Sequence, residues 1–296
     1  MFAISTTPRI SIKKIVVPTD FTTASKRALD AAIAIATYYG SKIILVHAVE
    51  ASPRPPSERD MQHSEIHTLS EAEWQLRREA SRCVDVGCER QLLKGTVTEV
   101  VEQFLAITQT DLIVVGTHGS TGFRRLLKGS IAEHIFRHVQ CPVLAVGPCV
   151  RIRETTWNPK RIMLATDLQS DESRAVTYAT ALAQEHNAQL ALLHVTLPAS
   201  APYPEDAELV LRPYFELRLR QLLGDWRSGR GCGPDIWVEF EHDPVAGVID
   251  VVTREPIDLL VLGVHPSTPW TLHFGHSAHR ILSVAPCPTL IVQRDL

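Results

Sequence analysis

The chain carries the same pattern of residues twice, and this repeat constrains its fold more than any other feature. Residues 15–32 read IVVPTDFTTASKRALDAA, and residues 162–179 read IMLATDLQSDESRAVTYA. Matching residues recur 147 positions apart, in the pairs Asp20 and Asp167, His47 and His194, Asp111 and Asp258, and Gly116 and Gly263. A period this long indicates a duplicated domain, because solenoid repeats span only about 20–50 residues. We predict one domain at 1–147, a linker at 148–159 and a second domain at 160–296.

Within each copy, short and nearly continuous apolar runs predict strands that are buried on both faces, as in a parallel sheet. The first copy has five predicted strands, of which the third is the weaker one because polar residues interrupt it: Ile12–Pro18, Ile43–Val49, Val84–Leu93, Leu112–Gly116 and Pro142–Val146. The second copy repeats the order with Arg161–Ala165, Leu190–Val195, Ile236–Phe240, Leu259–Gly263 and Thr289–Val292.

Helical patterns alternate with these strands. In the first copy we predict helices at Ala24–Tyr39 (ended by Gly40), at Leu69–Ser81, from the T-V-T-E capping box at Thr96–Glu99 to Thr108, and at Ser130–His138. The Pro- and charge-rich stretch Ala51–Asp60 is predicted to be a loop. Alternation of this kind predicts two α/β domains, each with a doubly wound, Rossmann-like, five-stranded parallel sheet that binds ligands at the carboxyl ends of its strands.

Composition narrows the class of protein further. With 45% hydrophobic and 21% charged residues, the chain has the balance of a globular protein, and its net charge of −3 argues against a nucleic-acid partner. The N-terminal residues lack the pattern of a secretory signal, and no apolar run reaches membrane-spanning length, so we expect a cytoplasmic protein without a membrane span. The six cysteines form no C-x-x-C pair, and we expect reduced, mostly buried thiols.

The segment at Gly116–Ser130, GTHGSTGFRRLLKGS, leaves a predicted strand and enters a predicted helix. Glycines let the main chain approach an anion, and successive N–H groups and the helix N-terminus offer donors to it. Because Lys128 precedes Gly129, the segment is not a Walker A loop, and it does not have the Rossmann G-x-G-x-x-G spacing. The pattern predicts phosphate binding.

The same segment is similar to the ATP-binding signature of the universal stress proteins, G-x2-G-x9-G-[ST]. Gly116, Gly119, Gly129 and Ser130 match it without a gap. The resemblance extends over nearly the whole chain through P-T-D at Pro18–Asp20, L-V-H-A at Leu45–Ala48, the D-L-I-V-V-G-T-H-G run and the final C-P-V-L strand. The chain thus resembles a tandem universal stress protein.

The resemblance implies an adenine-nucleotide site in the first copy. The implied ligand is ATP, with or without Mg, and the alternative ligands are AMP and ADP. The implied contacts to base, ribose and phosphates are Pro18, Thr19, Asp20, Ala48, Val115, Gly116, Gly119, Gly129, Ser130 and Ile131. His118, in the same loop, is a further candidate phosphate contact or a solvent-facing residue. Asp20 suits the sugar hydroxyls as an acceptor, although an aspartate here also suits a helix cap. His47 and His194, inside apolar strands, are interpreted as hydrogen-bonded core histidines.

The second copy departs from this signature. It reads GVHPSTPWTLHFGHS at Gly263–Ser277, with Pro266 in place of Gly119 and His276 in place of Ser130, and it is one residue shorter. Proline removes an N–H donor and fixes φ, so we expect nucleotide mainly in the first copy. Four histidines in the second loop, His265, His273, His276 and His279, raise the alternative of a metal site, but no recognised ligand spacing completes it, and a solvated or anion-contacting face is favoured.

Three classes of function remain open at this stage. A regulatory, stress-response ATP-binding protein leads, since the sequence shows no nucleophile elbow, H-E-x-x-H motif or paired carboxylates beside the loop. Any hydrolysis would rely on Asp20, His118 and a metal. The alternatives are an ATP-hydrolysing or nucleotidyl-transfer enzyme on the same fold and a ligand-free interaction scaffold. The short final strand of each copy would present an unpaired edge, which predicts an intrachain pseudo-dimer and allows a homodimer.

Overall fold

The computed structural model describes residues 10–49, 58–96, 99–100, 104–105, 108–117, 139, 141–150, 156–168, 173–198, 207–224, 226–228, 231–264 and 274–293. The chain divides into two compact units, whose main segments are Ile12–Pro148 and Asn158–Leu296. Each unit is a sheet of parallel strands with helices packed against it, which confirms the predicted α/β class and the tandem arrangement. Among these described residues, no helix has the length and apolar character needed to cross a membrane.

The first unit is built around a parallel sheet with the strand order β3-β2-β1-β4-β5. Its described elements are β1 (Lys14–Pro18), α1 (Thr23–Tyr39), β2 (Lys42–Val49), α2 (Glu58–Ala80), β3 (Cys88–Lys94), β4 (Leu112–Gly116) and β5 (Val143–Val146). The chain leaves β1 towards β2 and β3, and later returns to the other side of β1 as β4. This reversal between β1 and β4 is the place where doubly wound sheets open a ligand crevice.

The second unit repeats the topology with the strand order β10-β9-β6-β7-β8. Its described elements are β6 (Arg161–Thr166), α3 (Ser173–Glu185), β7 (Gln189–Thr196), α4 (Ala207–Leu223), β8 (Asp235–Phe240), α5 (Pro244–Arg254), β9 (Leu259–Val264), α6 (Phe274–Val284) and β10 (Thr289–Gln293). Here β6 takes the place of β1, so the second crevice lies between β6 and β9.

The central strands are buried on both faces, as their apolar runs predict. Ile15 and Val17 in β1, and Ile162 and Leu164 in β6, are each 0% exposed. Helix α1 covers β1 and β4 with a face of small residues and ends at Gly40, whose φ of 67° places it in the left-handed region that favours glycine. Small side chains on α1 let the helix approach the sheet closely.

An aspartate at the start of the fourth strand of each copy ties that strand to the first one. The Oδ2 of Asp111 accepts hydrogen bonds from the backbone N–H groups of Lys13 and Lys14, at 2.8 and 2.9 Å. Asp258 makes the equivalent bonds to Lys160 and Arg161, at 2.7 and 2.9 Å. The repetition of this aspartate in the sequence therefore has a structural reason, at the end of the sheet opposite the strands' carboxyl termini.

Two predicted boundaries in the first unit were wrong. Helix α2 begins at Glu58, so residues 58–60 of the predicted loop Ala51–Asp60 are helical, and the helix is much longer than Leu69–Ser81. Acidic residues suit the positive end of a helix dipole, and such a start is easily mistaken for a loop. The predicted strand Val84–Leu93 begins only at Cys88, because Val84 lies in a turn and is 83% exposed.

Candidate functional site

The described part of the candidate site lies where three neighbouring strands end. Strands β2, β1 and β4 are adjacent in the sheet and parallel, so their carboxyl ends share one edge. The predicted site residues that the structure describes lie at or just after these ends: Pro18, Thr19, Asp20, Ala48, Val115 and Gly116. The fold thus brings together six residues that the sequence places in three separate segments.

Thr19 anchors the turn that leaves β1. The residue is only 8% exposed, its N–H donates to the carbonyl of Val46 at 2.8 Å, and its Oγ1 accepts a bond from the N–H of Phe21 at 3.1 Å. Oγ1 also lies 3.2 Å from the hydroxyl of Ser25 in α1. Thr19 is therefore a buried hydrogen-bonding hub that fixes the backbone on which Asp20 sits, a role that its residue type alone does not reveal.

Phe21, directly after Asp20, adopts a left-handed conformation with φ of 64°. A non-glycine residue pays of order 1 kcal/mol for this conformation, and such strain in native proteins clusters at functional sites. The second unit repeats it, since Leu168 has φ of 58° and donates its N–H to the Oγ1 of Thr166 at 3.0 Å. Both copies therefore hold the residue after the aspartate in the same strained turn.

Asp20 is exposed at this edge and helps to organise the start of α1. Its Oδ1 accepts bonds from the N–H and the hydroxyl of Thr22, at 3.1 and 2.6 Å. Thr22, in turn, caps the helix by accepting from the N–H of Ser25. The alternative that Asp20 itself is the helix cap is wrong, because a residue two positions later occupies the cap and Asp20 orients it.

Gly116 ends β4 where the strand meets the first turn of α1. A Cβ added to this glycine would lie 2.1 Å from the carbonyl oxygen of Ala24 and 2.8 Å from the N–H nitrogen of Ser25. Real Cβ atoms do not approach backbone this closely, so no other residue fits here without moving α1. The next residue, Thr117, is 1% exposed and donates its N–H to the carbonyl of Val146, which fixes the exit direction of the chain.

Both recurring histidines are hydrogen-bonded, as predicted, but only His194 is a core residue, because His47 is half-buried. Nδ1 of His47 lies 2.7 Å from the carbonyl oxygen of Thr19, and Nδ1 of His194 lies 2.9 Å from that of Thr166. Since a carbonyl only accepts, Nδ1 carries the proton in each ring. Burial holds the pKa of His194 below its ordinary value. Each histidine thus links the second strand of its copy to the end of the first.

Aromatic contacts at this edge differ between the copies, and the sequence did not indicate them. In the first unit, the ring of Phe21 packs on His47 with centroids 4.3 Å apart. In the second unit, leucine replaces that phenylalanine, and the ring beside His194 is Phe215 of α4, at 4.7 Å. Arg218 of α4 also donates from Nη2 to the carbonyl oxygen of Leu168, with the two atoms 3.5 Å apart. In the second unit, α4 therefore contacts both His194 and Leu168 at this edge.

The predicted phosphate loop lies outside the described residues, with its candidate contacts His118, Gly119, Gly129, Ser130 and Ile131. The second-copy loop from His265 to His273, including Pro266, lies outside them too, as do the side chains of His276 and His279. In the part of the chain that the structure describes, no group of three or more His, Cys, Asp or Glu residues is placed to hold a metal ion.

The prediction that the cysteines are mostly buried was wrong. Cys83 and Cys287 are buried, whereas Cys88 and Cys141 are half-buried, and Cys149 and Cys232 are exposed. All six are free thiols. The prediction followed the general tendency of cysteine to be buried, which does not hold for four of the six cysteines here.

Comparison with known proteins places both units in one family. The model of the Universal stress protein family matches residues 11–147 and again residues 158–293. Universal stress protein MJ0531 of Methanocaldococcus jannaschii is 32% identical over 138 residues, which cover 45% of this chain and 81% of the relative. A universal stress protein of Thermus aquaticus is 33% identical over 135 residues, 45% of this chain and 98% of that protein.

A solved structure of similar length shares the fold. The crystal structure of a universal stress protein from Archaeoglobus fulgidus aligns with a TM-score of 0.67 at 16% sequence identity, covering 95% of this chain and 98% of that one. At this identity the likeness concerns the fold alone.

Proposed function

Because the chain belongs to the universal stress protein family, with two such domains in tandem, we propose that its first domain binds an adenine nucleotide, ATP foremost. The site is the edge formed by the carboxyl ends of β2, β1 and β4. The observation that carries the proposal is that the exposed carboxylate of Asp20 lies at the same edge of the sheet as Gly116, which begins the G-x2-G-x9-G-[ST] segment. The left-handed residue Phe21 follows Asp20 directly, and Leu168 repeats it in the second unit, so this turn belongs to the framework of both units.

Each described residue has a defined part in such a site. The Asp20 carboxylate suits the ribose hydroxyls, because an ionised carboxylate is a strong acceptor of O–H donors. The backbone around Ala48 and Val115, at the ends of β2 and β4, offers N–H and carbonyl groups to the edge of a base. Gly116, which leaves no Cβ between β4 and α1, begins the loop whose Gly119, Gly129, Ser130 and Ile131 would hold the phosphates through main-chain donors.

Solved family members include one in complex with cAMP and one from Arabidopsis thaliana with AMP bound. Those ligands are properties of those proteins. For this chain, the support is the conjunction of family membership, the G-x2-G-x9-G-[ST] spacing from Gly116 to Ser130, and the geometry of the strand ends.

The proposed role is regulatory: nucleotide occupancy stabilises one conformation or assembly of a stress-response protein. ATP carries its Mg²⁺ into the site as the usual complex of the nucleotide. The exposed carboxylate at the described edge, Asp20, already accepts the N–H and the hydroxyl of Thr22 at the helix cap, a structural role that favours binding over rapid turnover. A steady-state assay showing many ATP turnovers per minute would instead favour the enzyme alternative.

We propose that the second domain binds nucleotide weakly or not at all. Its framework at Thr166, Asp167 and Leu168 matches the first, but Phe215 and Arg218 of α4 contact His194 and Leu168 there. The substitution of Gly119 by Pro266 and the loss of one loop residue also remove main-chain donors that a phosphate needs.

A matched pair of variants tests which domain binds. Asp20→Asn keeps an oxygen for the Thr22 hydrogen bonds but removes the charge, so we expect the Kd for Mg-ATP to rise by about tenfold or more, as loss of a charged hydrogen bond of ~1.5–3 kcal/mol implies. Asp167→Asn, 147 positions later, should leave the Kd unchanged. Titration calorimetry measures both. Equal effects of the two variants, or no effect of Asp20→Asn, would refute the assignment to the first domain.

A second comparison addresses the loop. Gly119→Pro should abolish binding in the first domain, because it removes an N–H donor, whereas Pro266→Gly alone should restore little in the second. Small molecules released from freshly purified protein, identified by mass spectrometry, should include an adenine nucleotide. Normal ATP affinity in Gly119→Pro would show that the functional loop is not this one.

A further inference from the structure

A pair of thiols lies in the first unit at the turn between α2 and β3, away from the candidate nucleotide site. Cys83 follows the last turn of α2, with its N–H donating to the carbonyl of Ala80 at 3.0 Å, and Cys88 is the first residue of β3. The intervening chain folds back through a bond from Val86 N–H to the Cys83 carbonyl at 3.4 Å. This turn leaves four residues between the two thiols, which are close enough for each to shift the pKa of the other. The Cys88 thiol also lies against the carbonyl of Glu89, with Sγ and O 3.8 Å apart.

The two thiols have unlike surroundings. Cys83 is buried, 6% exposed, whereas Cys88 is half-buried and lines an open cavity of about 510 Å³. Arg77 and Arg90, both at the surface, line the same cavity. A small neutral oxidant can therefore reach the Cys88 sulfur from solvent, whereas the Cys83 sulfur is buried.

The charges around the pair favour a thiolate on Cys88. Interaction with the Cys83 thiol, helped by the positive charge of Arg90, lowers the pKa of the Cys88 thiol against the opposing effect of burial. Interaction with Cys88, together with burial, raises the pKa of Cys83. A reactive thiolate beside a protonated partner is the arrangement of redox-sensing cysteine pairs, in which one sulfur attacks and the other resolves.

We propose that Cys83 and Cys88 form a reversible, hydroperoxide-driven disulfide that closes the turn between α2 and β3. The Cys88 thiolate attacks one peroxide oxygen, the O–O bond breaks, and the departing hydroxide takes up a proton to become water, leaving a sulfenic acid on Cys88. The Cys83 sulfur then attacks the Cys88 sulfur, the S–O bond breaks, and the hydroxide leaves as water with the Cys83 proton. Two thiols and one hydrogen peroxide thus give one disulfide and two waters.

This chemistry is independent of nucleotide binding. Cys88 begins β3, whereas Lys94 ends it opposite Val49, the last residue of β2. At about 3.3 Å per residue, the length of β3 places Cys88 roughly 20 Å from the carboxyl edge of the sheet. Oxidation should therefore occur in the Asp20→Asn variant as in the unaltered chain.

The sequence around the pair makes the test direct. Trypsin cleaves after Arg82 and Arg90, so both cysteines leave in one peptide, residues 83–90, while Cys232 leaves alone in residues 231–254. After hydrogen peroxide treatment of the folded chain and alkylation, we expect peptide 83–90 to lack both alkyl groups and to be lighter by two hydrogen atoms. Dithiothreitol should restore both alkylation sites. Cys232, exposed but without a thiol partner in its peptide, is the internal control.

Variants separate the attacking role of Cys88 from the resolving role of Cys83. In Cys83→Ser, a dimedone probe should trap a lasting sulfenic acid on Cys88, and in Cys88→Ser, Cys83 should stay reduced under the same treatment. In urea, the preference for oxidation of Cys88 over Cys232 should disappear, because the fold creates it. Full alkylation of peptide 83–90 under conditions that oxidise Cys232, or conversion of Cys88 to sulfinic acid without any disulfide, would overturn the proposal.

Discussion

At the scale of single residues, Gly116 shows how closely the site depends on the packing of strand against helix. The gap between its Cα hydrogen and the carbonyl of Ala24 has no room for a methyl group, since the added Cβ would lie 2.1 Å from that oxygen. The conflict is with backbone, which cannot rotate away as a side chain can. Any substitution must therefore displace the start of α1, the segment that positions Asp20 and Thr22.

We predict that Gly116→Ala lowers the free energy of unfolding by about 1–3 kcal/mol, the usual cost of overpacking, and weakens Mg-ATP binding. Gly87→Ala is the matched control, because a Cβ there meets only Lys42 Cγ at an ordinary 3.7 Å. Urea denaturation and calorimetry measure the two effects. Equal stability of the two variants would contradict the close approach.

The buried His186, at the end of α3, gives the second unit a pH-dependent stability. Burial, aided by the positive charge of Lys160, lowers its pKa from 6.5 to about 4. The unfolded chain therefore binds a proton that the folded chain resists. This contribution is fully present above about pH 6.5 and is lost as the pH falls from 6.5 towards 4.

We expect the unfolding free energy of the chain to fall by on the order of 2 kcal/mol between pH 6.5 and pH 4 on account of this histidine. His186→Gln should flatten that part of the profile, whereas His242→Gln, at an exposed position, should leave it unchanged. Urea titrations at a series of pH values, followed by tryptophan fluorescence, provide the measurement. If the pH dependence of the unfolding free energy is unaltered in His186→Gln, other groups determine it.

At the scale of elements, α1 is held by its cap as well as by its packing. Thr22 accepts the N–H of Ser25 at the helix start, and Asp20 orients Thr22 in turn. Thr37, farther along the same helix, donates its hydroxyl to the carbonyl of Ile33 and faces solvent. The same residue type thus has a capping role at one position and a neutral one at the other.

Thr22→Ala should therefore cost about 1 kcal/mol of stability, the typical loss of an N-cap, and should loosen the turn at Asp20. Thr37→Ala should be neutral or slightly stabilising, because alanine has the higher helix propensity. Thermal unfolding of the two variants side by side checks this. A greater loss for Thr37→Ala than for Thr22→Ala would contradict the capping assignment.

Elements with a strong local signal were predicted well from the sequence. Strand β4 has the predicted bounds, α1 starts one residue before the predicted Ala24, and the capping box holds, since Glu99 accepts bonds from the N–H and hydroxyl of Thr96 at 3.2 and 2.8 Å. Local chemistry dictates each of these features. Helix α2 was underpredicted because its first half is polar, and no hydrophobic period marks it.

Features of the site that depend on tertiary contacts could not be predicted from the sequence. The positive φ of Phe21, the buried hydroxyl of Thr19 and the ring of Phe215 beside His194 arise where distant segments meet. The alignment of the two copies does indicate that Thr19 and Thr166 recur, which is a signal that could have identified the buried threonine. Nothing in the sequence marks Phe215 in the same way.

At the scale of the whole molecule, one framework has been duplicated and its two edges have diverged. The strand-tying aspartates, the strained turns and the histidine bonds to the first strand recur in both units, with nearly identical distances. These shared features support the fold. The differences lie in the loop after the fourth strand, where glycine has become Pro266, and in the ring that packs on the histidine, which is Phe21 in the first unit and Phe215 of α4 in the second. Sequence divergence at one of two duplicated edges is expected if only the other copy has continued to bind a ligand.

The stoichiometry of Mg-ATP binding by the unaltered chain, measured by titration calorimetry, tests this account most directly. We predict one nucleotide bound per chain, with the site removed by Gly119→Pro and retained in Asp167→Asn. Two equal sites per chain would contradict the divergence of the two domains. An absence of binding would contradict the proposed function itself.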